Sequence, residues 1–487
     1  MTTTETSNSI EVLFIKCKYF GYEGSFLPLG LLSICTYLEE HSIKTKIIDN
    51  FCLSDPNDVD HTFNFIENNN LLFIGFSVFL TNALNTYKTV NVIRQKYPNI
   101  LLIAGGPHAT SLPQEAIDHG FDLVIRGYAE ESILQLILLL RNDCNSRSDI
   151  DVNCIQGLYS MHNRNTTLAR VKLSDLPMIR RDLLDLSRGQ YDFGIMLSQV
   201  GCPYKCTYCS NLDNSRRNVS ARTPRQVVDE MILLSKEYKV NSITFADDVF
   251  TLSQKRVKEI CSFIRSEPAL RNIKWQCGSS VKTTSFELLK EMQEAGLEYY
   301  SVCYETFNQE TIERTNGHLK MDLEKANQLL DWLLELKLKI WISIIVGWPW
   351  ETVDDVDSTM RIVNEMQNRS NTISIDCSLL VPVPNTELYD EFHKKYGFTD
   401  WWLKDEYLAE GFLQKLVKLH RMFYVLSQNF FKYSYRQIGK FSELLLNIRG
   451  RRISFSDKLL LFLHINASKR IRNSKLRRLI EKCITPF

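Results

Sequence analysis

Short apolar runs alternate with amphipathic stretches through most of the chain. In the N-terminal part, strands are predicted where the apolar runs are densest, at residues 11–17, 44–50, 71–78, 99–106 and 122–127. Helical periodicity follows most of these runs, for example at residues 30–40 and 130–141. Strand–helix alternation of this kind predicts an α/β fold with a doubly wound parallel sheet of the flavodoxin-like type.

The same alternation resumes further along the chain, where six more strand–helix units are predicted. Their strands are expected at residues 193–199, 242–246, 273–280, 299–304, 339–346 and 372–381. Six units are fewer than the eight of a closed barrel, so the pattern predicts a partial (β/α)6 barrel. Active sites of barrel folds lie at the carboxyl ends of the strands.

These patterns divide the chain into a first domain at 10–145, a polar linker at 146–190 with one short strand near 155–161, and a barrel domain at 191–396. Residues 397–487 are rich in aromatic side chains and basic towards the end, and we expect a helical cap over the open barrel. The alternative is a substrate lid whose basic edge contacts an anionic membrane or an anionic substrate.

Composition narrows the functional classes. With 44% hydrophobic and 24% charged residues the chain has the make-up of a globular protein. Lys plus Arg (58) and Asp plus Glu (57) nearly cancel, so no global charge favours a nucleic-acid partner. An odd number of cysteines (13) and an N-terminus without a secretory pattern predict a reducing cytoplasm and no disulfide framework. No apolar stretch reaches the length that predicts a transmembrane segment.

Three cysteines, Cys202, Cys206 and Cys209, follow the first predicted barrel strand in the run Gly-Cys-Pro-Tyr-Lys-Cys-Thr-Tyr-Cys-Ser. Thiolates are soft ligands that hold iron–sulfur clusters or zinc. Three thiolates without an adjacent fourth ligand would leave one iron of a cluster open for a non-protein ligand. The alternatives are a zinc knuckle with a distant fourth ligand, or three unrelated thiols.

Polar residues and glycines recur where other predicted strands end. In the barrel domain these candidate cofactor contacts are Asp247, Asp248, Ser280, Glu305 and Gly347. In the first domain they are Ser77, Gly105, Gly106, His108, Gly127 and Glu130. Glycine lets the backbone approach a bulky ligand closely. For the first domain the alternative is a flavodoxin-like sheet whose glycine turns are only turns, with His108 a loop histidine.

The C-x3-C-x2-C spacing, with Tyr208 between the last two cysteines, resembles the signature of the radical S-adenosylmethionine (SAM) enzymes. Pro28-Leu29-Gly30, Gly105-Gly106-Pro107-His108 and the turn at 127–131 resemble the cobalamin-binding domain that precedes the radical SAM core in one large subgroup. Three departures stand out. Tyr128 replaces the usual first Glu of the last turn, Trp350 replaces a Gly, and the Asp-x-His-x-x-Gly motif that supplies a histidine to cobalt is absent after the first strand.

The resemblance implies a [4Fe–4S] cluster on the three cysteines, with SAM held by Asp247, Asp248 and Glu305 and its adenine near Tyr208 and Gly347. It further implies a cobalamin over the first domain and an external electron donor such as flavodoxin or ferredoxin. The commonest reaction of the subgroup is methylation of an unactivated carbon, occasionally of phosphorus, using a 5′-deoxyadenosyl radical and methylcobalamin.

Two alternatives stay open. One is an oxidative cyclisation or ring rearrangement, as in the anaerobic magnesium-protoporphyrin ester cyclases. The other is a non-catalytic cobalamin or cluster sensor. The substrate, whether a small molecule, a peptide or a lipid, is not written in the sequence.

Overall fold

The computed structural model describes residues 10–19, 26–142, 155–162, 167–188, 190–210, 218–315, 323–396 and 398–404. Within these ranges the predicted α/β fold is confirmed: two six-stranded sheets follow one another along the chain. The expected C-terminal cap, apart from 398–404, lies outside the described residues.

The first sheet has the order β2-β1-β3-β4-β5-β6. Its strands are β1 (Val12–Cys17), β2 (Thr45–Phe51), β3 (Phe73–Ser77), β4 (Leu102–Gly105), β5 (Leu123–Ile125) and β6 (Leu158–Ser160). Strands β1 to β5 pair in parallel in the flavodoxin-like order, and β6 pairs antiparallel with β5. Strand β6 comes from the segment predicted as a linker.

Helices cover both faces of this sheet: α1 (Leu29–Glu40), α2 (Pro56–Glu67), α3 (Ala83–Lys96), α4 (Pro107–Ser111), α5 (Pro113–Asp118) and α6 (Glu130–Asn142). One apolar core lies beneath α1 and α6, and a second lies beneath α2, α3 and α5. The sequence analysis missed α2, because this polar helix buries only Thr62 and Ile66 and so lacks a strong apolar period.

The second sheet has the order β14-β13-β12-β11-β10-β7, with every neighbouring pair parallel. Its strands are β7 (Ile195–Met196), β10 (Ser242–Phe245), β11 (Lys274–Ser279), β12 (Leu297–Glu305), β13 (Lys339–Val346) and β14 (Ile373–Leu379). A small antiparallel ribbon pairs β8 (Gln199–Val200) with β9 (Ser220–Ala221). Strands β14 and β7 are at the two ends of this order, so the sheet is open among the described residues, as six units predict.

The helices of the second domain are α7 (Pro224–Glu237), α8 (Gln254–Ser266), α9 (Phe286–Glu294), α10 (Gln309–Arg314), α11 (Leu323–Glu335), α12 (Val353–Gln367) and α13 (Glu387–Tyr396). Local sequence sets their starts. Thr223, for example, closes a capping box with Gln226 just before Pro224 at the first helical position of α7. No helix in the described part of the chain combines the length and apolar character needed to cross a bilayer.

The two domains share an apolar core. The cluster beneath α2, α3 and α5 of the first domain continues into Trp348, Leu388 and Tyr389 of the second domain. It ends on a short turn at Trp401–Leu403, where Trp401 and Trp402 are 5% and 2% exposed. Burying side chains of this size contributes about 3 kcal/mol each. An interface of this apolar character holds the domains together more firmly than a polar linker alone.

A buried ion pair fixes the connecting segment to the second domain. The guanidinium of Arg181 lies 3.1 Å from the carboxylate of Glu230 on α7, and both side chains are inaccessible to solvent. Arg222 donates to the backbone oxygens of Leu176 and Pro177. On the other side, the backbone N–H of Arg180 donates to Thr36 of α1. The connection is therefore tied to both domains.

Candidate active site

The cysteine run lies in the loop after β8, at the carboxyl edge of the second sheet. Cys206 is 5% exposed, and Cys202 and Cys209 are partly exposed. Burial, with smaller contributions from the nearby Asp248 and Cys206, raises the pKa of the Cys202 thiol to about 11. A thiolate at this position therefore needs a positive charge beside it, such as a bound iron.

The number of side-chain donors at the cysteine loop bears on whether it would bind a zinc ion or an iron–sulfur cluster. Within the described ranges, no three His, Cys, Asp or Glu side chains meet closely enough to surround a single ion. A structural zinc site needs four donors around one ion. A [4Fe–4S] cluster instead takes its thiolates on different irons, which places the sulfur atoms farther apart. The three cysteines of this loop suit such a cluster, in which one iron is left for another ligand.

Asp247 and Asp248 follow β10 but do different work. The Asp247 carboxylate is buried and accepts from the backbone N–H groups of Ser198 (2.7 Å) and Gln199 (3.2 Å) and from the Ser198 hydroxyl. It therefore holds the segment that leads into the cysteine loop. Asp248 lines the cavity described below. Burial raises the pKa of Asp247 to about 6 even with these hydrogen bonds.

Glu305, at the end of β12, is 7% exposed, and its Oε2 atom has no hydrogen-bond partner within the described protein. Its backbone is left-handed, with φ of 57°. Burial raises the pKa of its carboxyl to about 7. A buried, unsatisfied carboxylate oxygen costs free energy unless a ligand supplies the donor. Ser280, a candidate cofactor contact directly after β11, is buried and accepts from the Lys282 N–H at 3.3 Å.

The turn after β13 is aromatic. Gly347 has φ of 86°, and its N–H and that of Trp348 donate to Oε2 of Glu351 at 2.6 and 3.1 Å. Trp350, which replaces the glycine of the family pattern, stacks on Trp348 and donates from Nε1 to the hydroxyl of Thr311 at 2.9 Å. Its φ is not positive, so this turn does not require the second glycine.

Tyr208 packs edge to face on Trp348, with the ring centroids 5.1 Å apart. Its hydroxyl is buried and has no hydrogen-bond partner among the described residues. Burial and the surrounding acids and thiols raise the pKa of this phenol well above its usual range, so it stays neutral. The aromatic rings and the unsatisfied Tyr208 and Glu305 oxygens suit a ligand that carries both a flat ring and hydroxyl groups.

A cavity of about 540 Å³ opens between the two domains. Five of the expected first-domain contacts line it: Ser77, Gly105, Gly106, Gly127 and Glu130. Its deep end is apolar and reaches Phe14, Phe73 and Ile125 between the sheet and helices α1 and α6. Its other end reaches Gly201 and Asp248 beside the cysteine loop.

Two glycines of this cavity have positive φ angles and also leave no room for a Cβ atom. A Cβ on Gly106, where φ is 94°, would lie 2.8 Å from the carbonyl oxygen of Val78. A Cβ on Gly127 would collide with the backbone of Ala169, which forms a bridge to this turn. Close backbone walls around a deep apolar slot fit a large planar cofactor with an apolar tail.

His108 does not line this cavity, contrary to the expectation from sequence. It is 4% exposed, and its Nε2 atom lies 2.8 Å from Oε1 of Glu115. Glu115 also accepts from the hydroxyl of Tyr87. Helix α4 places this side chain in the core, where it lies between Glu115 and Trp402.

Sequence reasoning missed a buried ion pair at the cavity. Lys16 of β1 lines it, is 2% exposed and lies 2.9 Å from the carboxylate of Asp49 on β2. The Lys16 ammonium also donates to the carbonyl of Phe26 and lies over the ring of Tyr19. The pair could have been predicted from a lysine and an aspartate near the ends of two apolar strands. In the structure their neighbours Ile15 and Ile48 are register partners, which brings Lys16 and Asp49 together.

Glu130 begins α6 and lines the same cavity. It accepts from the hydroxyl of Ser33 at 2.6 Å, and burial raises the pKa of its carboxyl. Lys16 and Glu130 therefore form part of a polar rim on this cavity. A rim of this kind can pair with the amide and phosphate groups of a large cofactor.

Comparison with known proteins agrees with this geometry. Residues 21–137 match the B12 binding domain family, and residues 196–363 match the radical SAM superfamily. An uncharacterized methyltransferase of Pyrococcus horikoshii is 24% identical over 372 residues, which cover 74% of this chain and 78% of that protein. The anaerobic magnesium-protoporphyrin IX monomethyl ester cyclase of Rubrivivax gelatinosus is 23% identical over 85% of this chain and 78% of its own.

Among solved structures, the radical SAM methyltransferase TsrM from Kitasatospora setae, with cobalamin and a [4Fe–4S] cluster bound, superposes with a TM-score of 0.65. The match covers 80% of this chain and 75% of TsrM at 17% identity, so it shows a shared fold. Both domain families, in the order that the two sheets follow, are thus present in one chain. The chain is a member of the cobalamin-binding radical SAM enzymes.

Proposed function

We propose that this enzyme is a methyltransferase that acts on an unactivated carbon, or a phosphorus, of a biosynthetic intermediate. One observation carries the proposal: a single cavity joins the glycine turns of the first domain to Asp248 beside the cysteine loop. Two cofactor sites that share one space suit a reaction in which a methyl group and a radical meet at the same substrate atom.

The chain's own residues take the following parts. Cys202, Cys206 and Cys209 hold the cluster. Asp248 pairs with the ammonium of SAM, since a carboxylate is the natural partner of that charge. When bound, the cluster and SAM supply a carbon-centred radical and the cobalamin supplies the methyl group.

Glu305 and the aromatic wall complete the SAM site. The free Oε2 of Glu305 accepts from ribose hydroxyls, and Tyr208 with Trp348 covers the adenine. Gly347 lets the backbone of its turn approach that ring. Asp247 fixes the loop through Ser198, and Ser280 shapes the floor beneath it.

The turns that hold Ser77, Gly105, Gly106, Gly127 and Glu130 would bind cobalamin beside the apolar slot. His108 does not line this cavity; its ring lies between Glu115 and Trp402 in the core. The apolar walls exclude water from the space that the two cofactor sites share.

A second candidate is an oxidative cyclase. The similarity to the Rubrivivax gelatinosus cyclase, at 23% identity over most of both chains, favours it specifically. Both candidates use the same cofactor sites and differ in whether the cobalt-bound group is transferred. A sensor without chemistry is disfavoured, because it needs no buried acid with a free oxygen at the SAM position.

We place the enzyme in the cytoplasm, with a small-molecule, peptide or lipid substrate and an external electron donor of the flavodoxin or ferredoxin type. No nucleic-acid partner is proposed, since acidic and basic residues are balanced.

The test is anaerobic. The full chain is reconstituted with iron, sulfide and cobalamin, given SAM and a strong reductant, and its products are measured by mass spectrometry. Both 5′-deoxyadenosine and S-adenosylhomocysteine are expected from a methyltransferase. Deoxyadenosine alone supports the cyclase. If protein that retains its cluster forms neither product, both the methyltransferase and the cyclase proposals are overturned.

Iron content provides the matched control. Cys206→Ala should lose cluster iron, whereas Cys261→Ala, which removes a buried thiol on the core face of α8, should keep it.

A further inference from the structure

Two adjacent tryptophans near the end of the described chain make matched hydrogen bonds to different domains. Trp401 donates from Nε1 to the carbonyl of Pro382 at 2.9 Å, within the second domain. Trp402 donates from Nε1 to Oε2 of Glu115 at 2.9 Å, across to the first domain. The second bond joins residues that are 287 positions apart in sequence.

Glu115 is the centre of a buried network on the first domain. Its Oε1 atom lies 2.8 Å from both the hydroxyl of Tyr87 and the Nε2 of His108. Burial alone would raise the pKa of Glu115, but the hydrogen bonds from His108, Tyr87 and Trp402 outweigh it and lower the pKa. The carboxylate is thus charged and charge-assisted, which makes its bond to Trp402 stronger than one between neutral groups.

This network lies beside both cofactor sites. His108 follows Gly106 of the cobalamin cavity, and its ring packs edge to face on Trp402 at 5.6 Å. Trp402 packs on Tyr389 of α13, and both belong to the shared apolar core that includes Trp348. The turn at Trp401–Leu403 also lies against α3 of the first domain. The contact therefore connects the cobalamin turns to the aromatic wall of the second domain.

We propose that Trp402 and Glu115 are positioning residues, which hold the first domain against the second so that the cobalamin and SAM sites stay in register. The proposal rests on the proposed function, because only transfer between two cofactors makes the register matter. Reductive cleavage of SAM uses groups of the second domain alone. Methyl loading of cobalt needs both domains in place. Loss of this contact should separate the two reactions.

The experiment compares Trp402→Phe and Glu115→Gln with the control Trp401→Phe in the full chain reconstituted with cluster and cobalamin. The ratio of S-adenosylhomocysteine to 5′-deoxyadenosine should fall about tenfold in Trp402→Phe and Glu115→Gln, the factor that corresponds to one lost hydrogen bond to a charged group. Deoxyadenosine formed per cluster should change by less than about twofold, because SAM contacts are intact. Trp401→Phe should leave the ratio unchanged. An unchanged ratio in Trp402→Phe, or an equal fall in Trp401→Phe, overturns the proposal.

The double variant tests whether the two residues act through one contact. If they do, Trp402→Phe combined with Glu115→Gln should lower the ratio no further than either change alone. Fully additive losses would contradict a shared contact. Cobalamin affinity and the unfolding midpoint are measured for every variant, so that a general loss of folding is recognised by a fall in both products.

A second readout separates this proposal from the proposed function. The electron paramagnetic resonance signal of cob(II)alamin relaxes faster when a reduced cluster lies close by. This enhancement should weaken in Trp402→Phe and persist in Trp401→Phe, whichever products form. If the wild-type enzyme makes no S-adenosylhomocysteine, methyl transfer fails as a function, and the relaxation comparison alone decides the positioning role. Equal relaxation in all variants overturns it.

Discussion

The ring of Tyr208 meets that of Trp348 edge to face, with 5.1 Å between their centroids. This contact joins the cysteine loop to the turn after β13, although the two residues lie far apart in sequence. The Tyr208 hydroxyl at its edge is left without a partner in the described protein. The site therefore carries an unsatisfied donor next to a rigid aromatic wall.

Tyr208→Phe should stabilise the ligand-free protein by up to about 1 kcal/mol, because it removes a buried hydroxyl with no hydrogen bond. The same change should weaken SAM binding about fivefold if that hydroxyl reaches the ligand. Urea unfolding and anaerobic calorimetry measure the two effects. Tyr300→Phe is the control: its hydroxyl is bonded to Thr284, so the unfolding free energy should fall by about 1 kcal/mol. A destabilised Tyr208→Phe protein would contradict the assignment.

Glu305→Gln should remove one contribution to the pH dependence of the enzyme's stability. The pKa of Glu305 is raised from 4.5 to about 7, so between these values the folded protein keeps a proton that the unfolded chain releases. Stability from this group is therefore lost as the pH rises through that window. The Gln variant should match wild type near pH 4.5 and exceed it by about 2 kcal/mol at pH 8, where wild type buries a charge.

Thermal unfolding of the ligand-free proteins at several pH values measures this difference. Glu298→Gln, on the exposed side of the same strand, should show no such trend, since Glu298 is exposed and paired with Lys339. A pH-independent gap between Glu305→Gln and wild type would count against a buried ionisable carboxyl.

Gly106→Ala should lower the unfolding free energy by about 2 kcal/mol and abolish tight cobalamin binding, because an L-side chain is strained at this positive φ. The added methyl group also collides with Val78. Gly30→Ala is the matched change: it lies in α1, its Cβ would meet nothing within 4 Å, and alanine favours helix. That variant should be more stable than wild type by about 0.5–1 kcal/mol. Chemical unfolding gives both values, and equal destabilisation would refute the argument from φ.

Lys16→Met should destabilise the first domain by about 3–5 kcal/mol, since it leaves Asp49 charged and without its cation in the core. Lys16→Met combined with Asp49→Leu should recover most of this loss, because no unpaired charge remains. Cobalamin affinity, followed by the visible spectrum, should stay reduced in the double variant if Lys16 contacts the cofactor. Full recovery of affinity would limit Lys16 to a structural role.

The hydrophobic pattern of the sequence predicted both sheets. Strands that are buried on two faces form continuous apolar runs in the sequence, whereas the helices between them show an amphipathic pattern. The predicted strands in turn gave the positions of their carboxyl ends, where Glu305, Asp248 and the cysteine loop lie. Strand β7 was predicted at 193–199 but pairs only at Ile195–Met196, where the chain turns early into the β8 ribbon. Apolar runs do not show where a strand leaves its sheet.

Partners that come from distant parts of the chain could not be predicted in this way. His108 follows a glycine turn typical of cofactor sites, yet Glu115 and Trp402 enclose it, and nothing near His108 in sequence indicates the latter. Asp247 and Asp248 are indistinguishable in sequence. Their division of labour depends on Ser198, whose backbone lies beside only one of them.

The apolar core that runs through both domains bears on how this enzyme can evolve and be engineered. A first domain transplanted from a relative would bring a surface that no longer matches Trp348, Tyr389 and Trp402. A domain expressed alone would expose that face to water and tend to aggregate. Exchange of whole domains should therefore cost stability unless these residues and the surface they pack on are exchanged together.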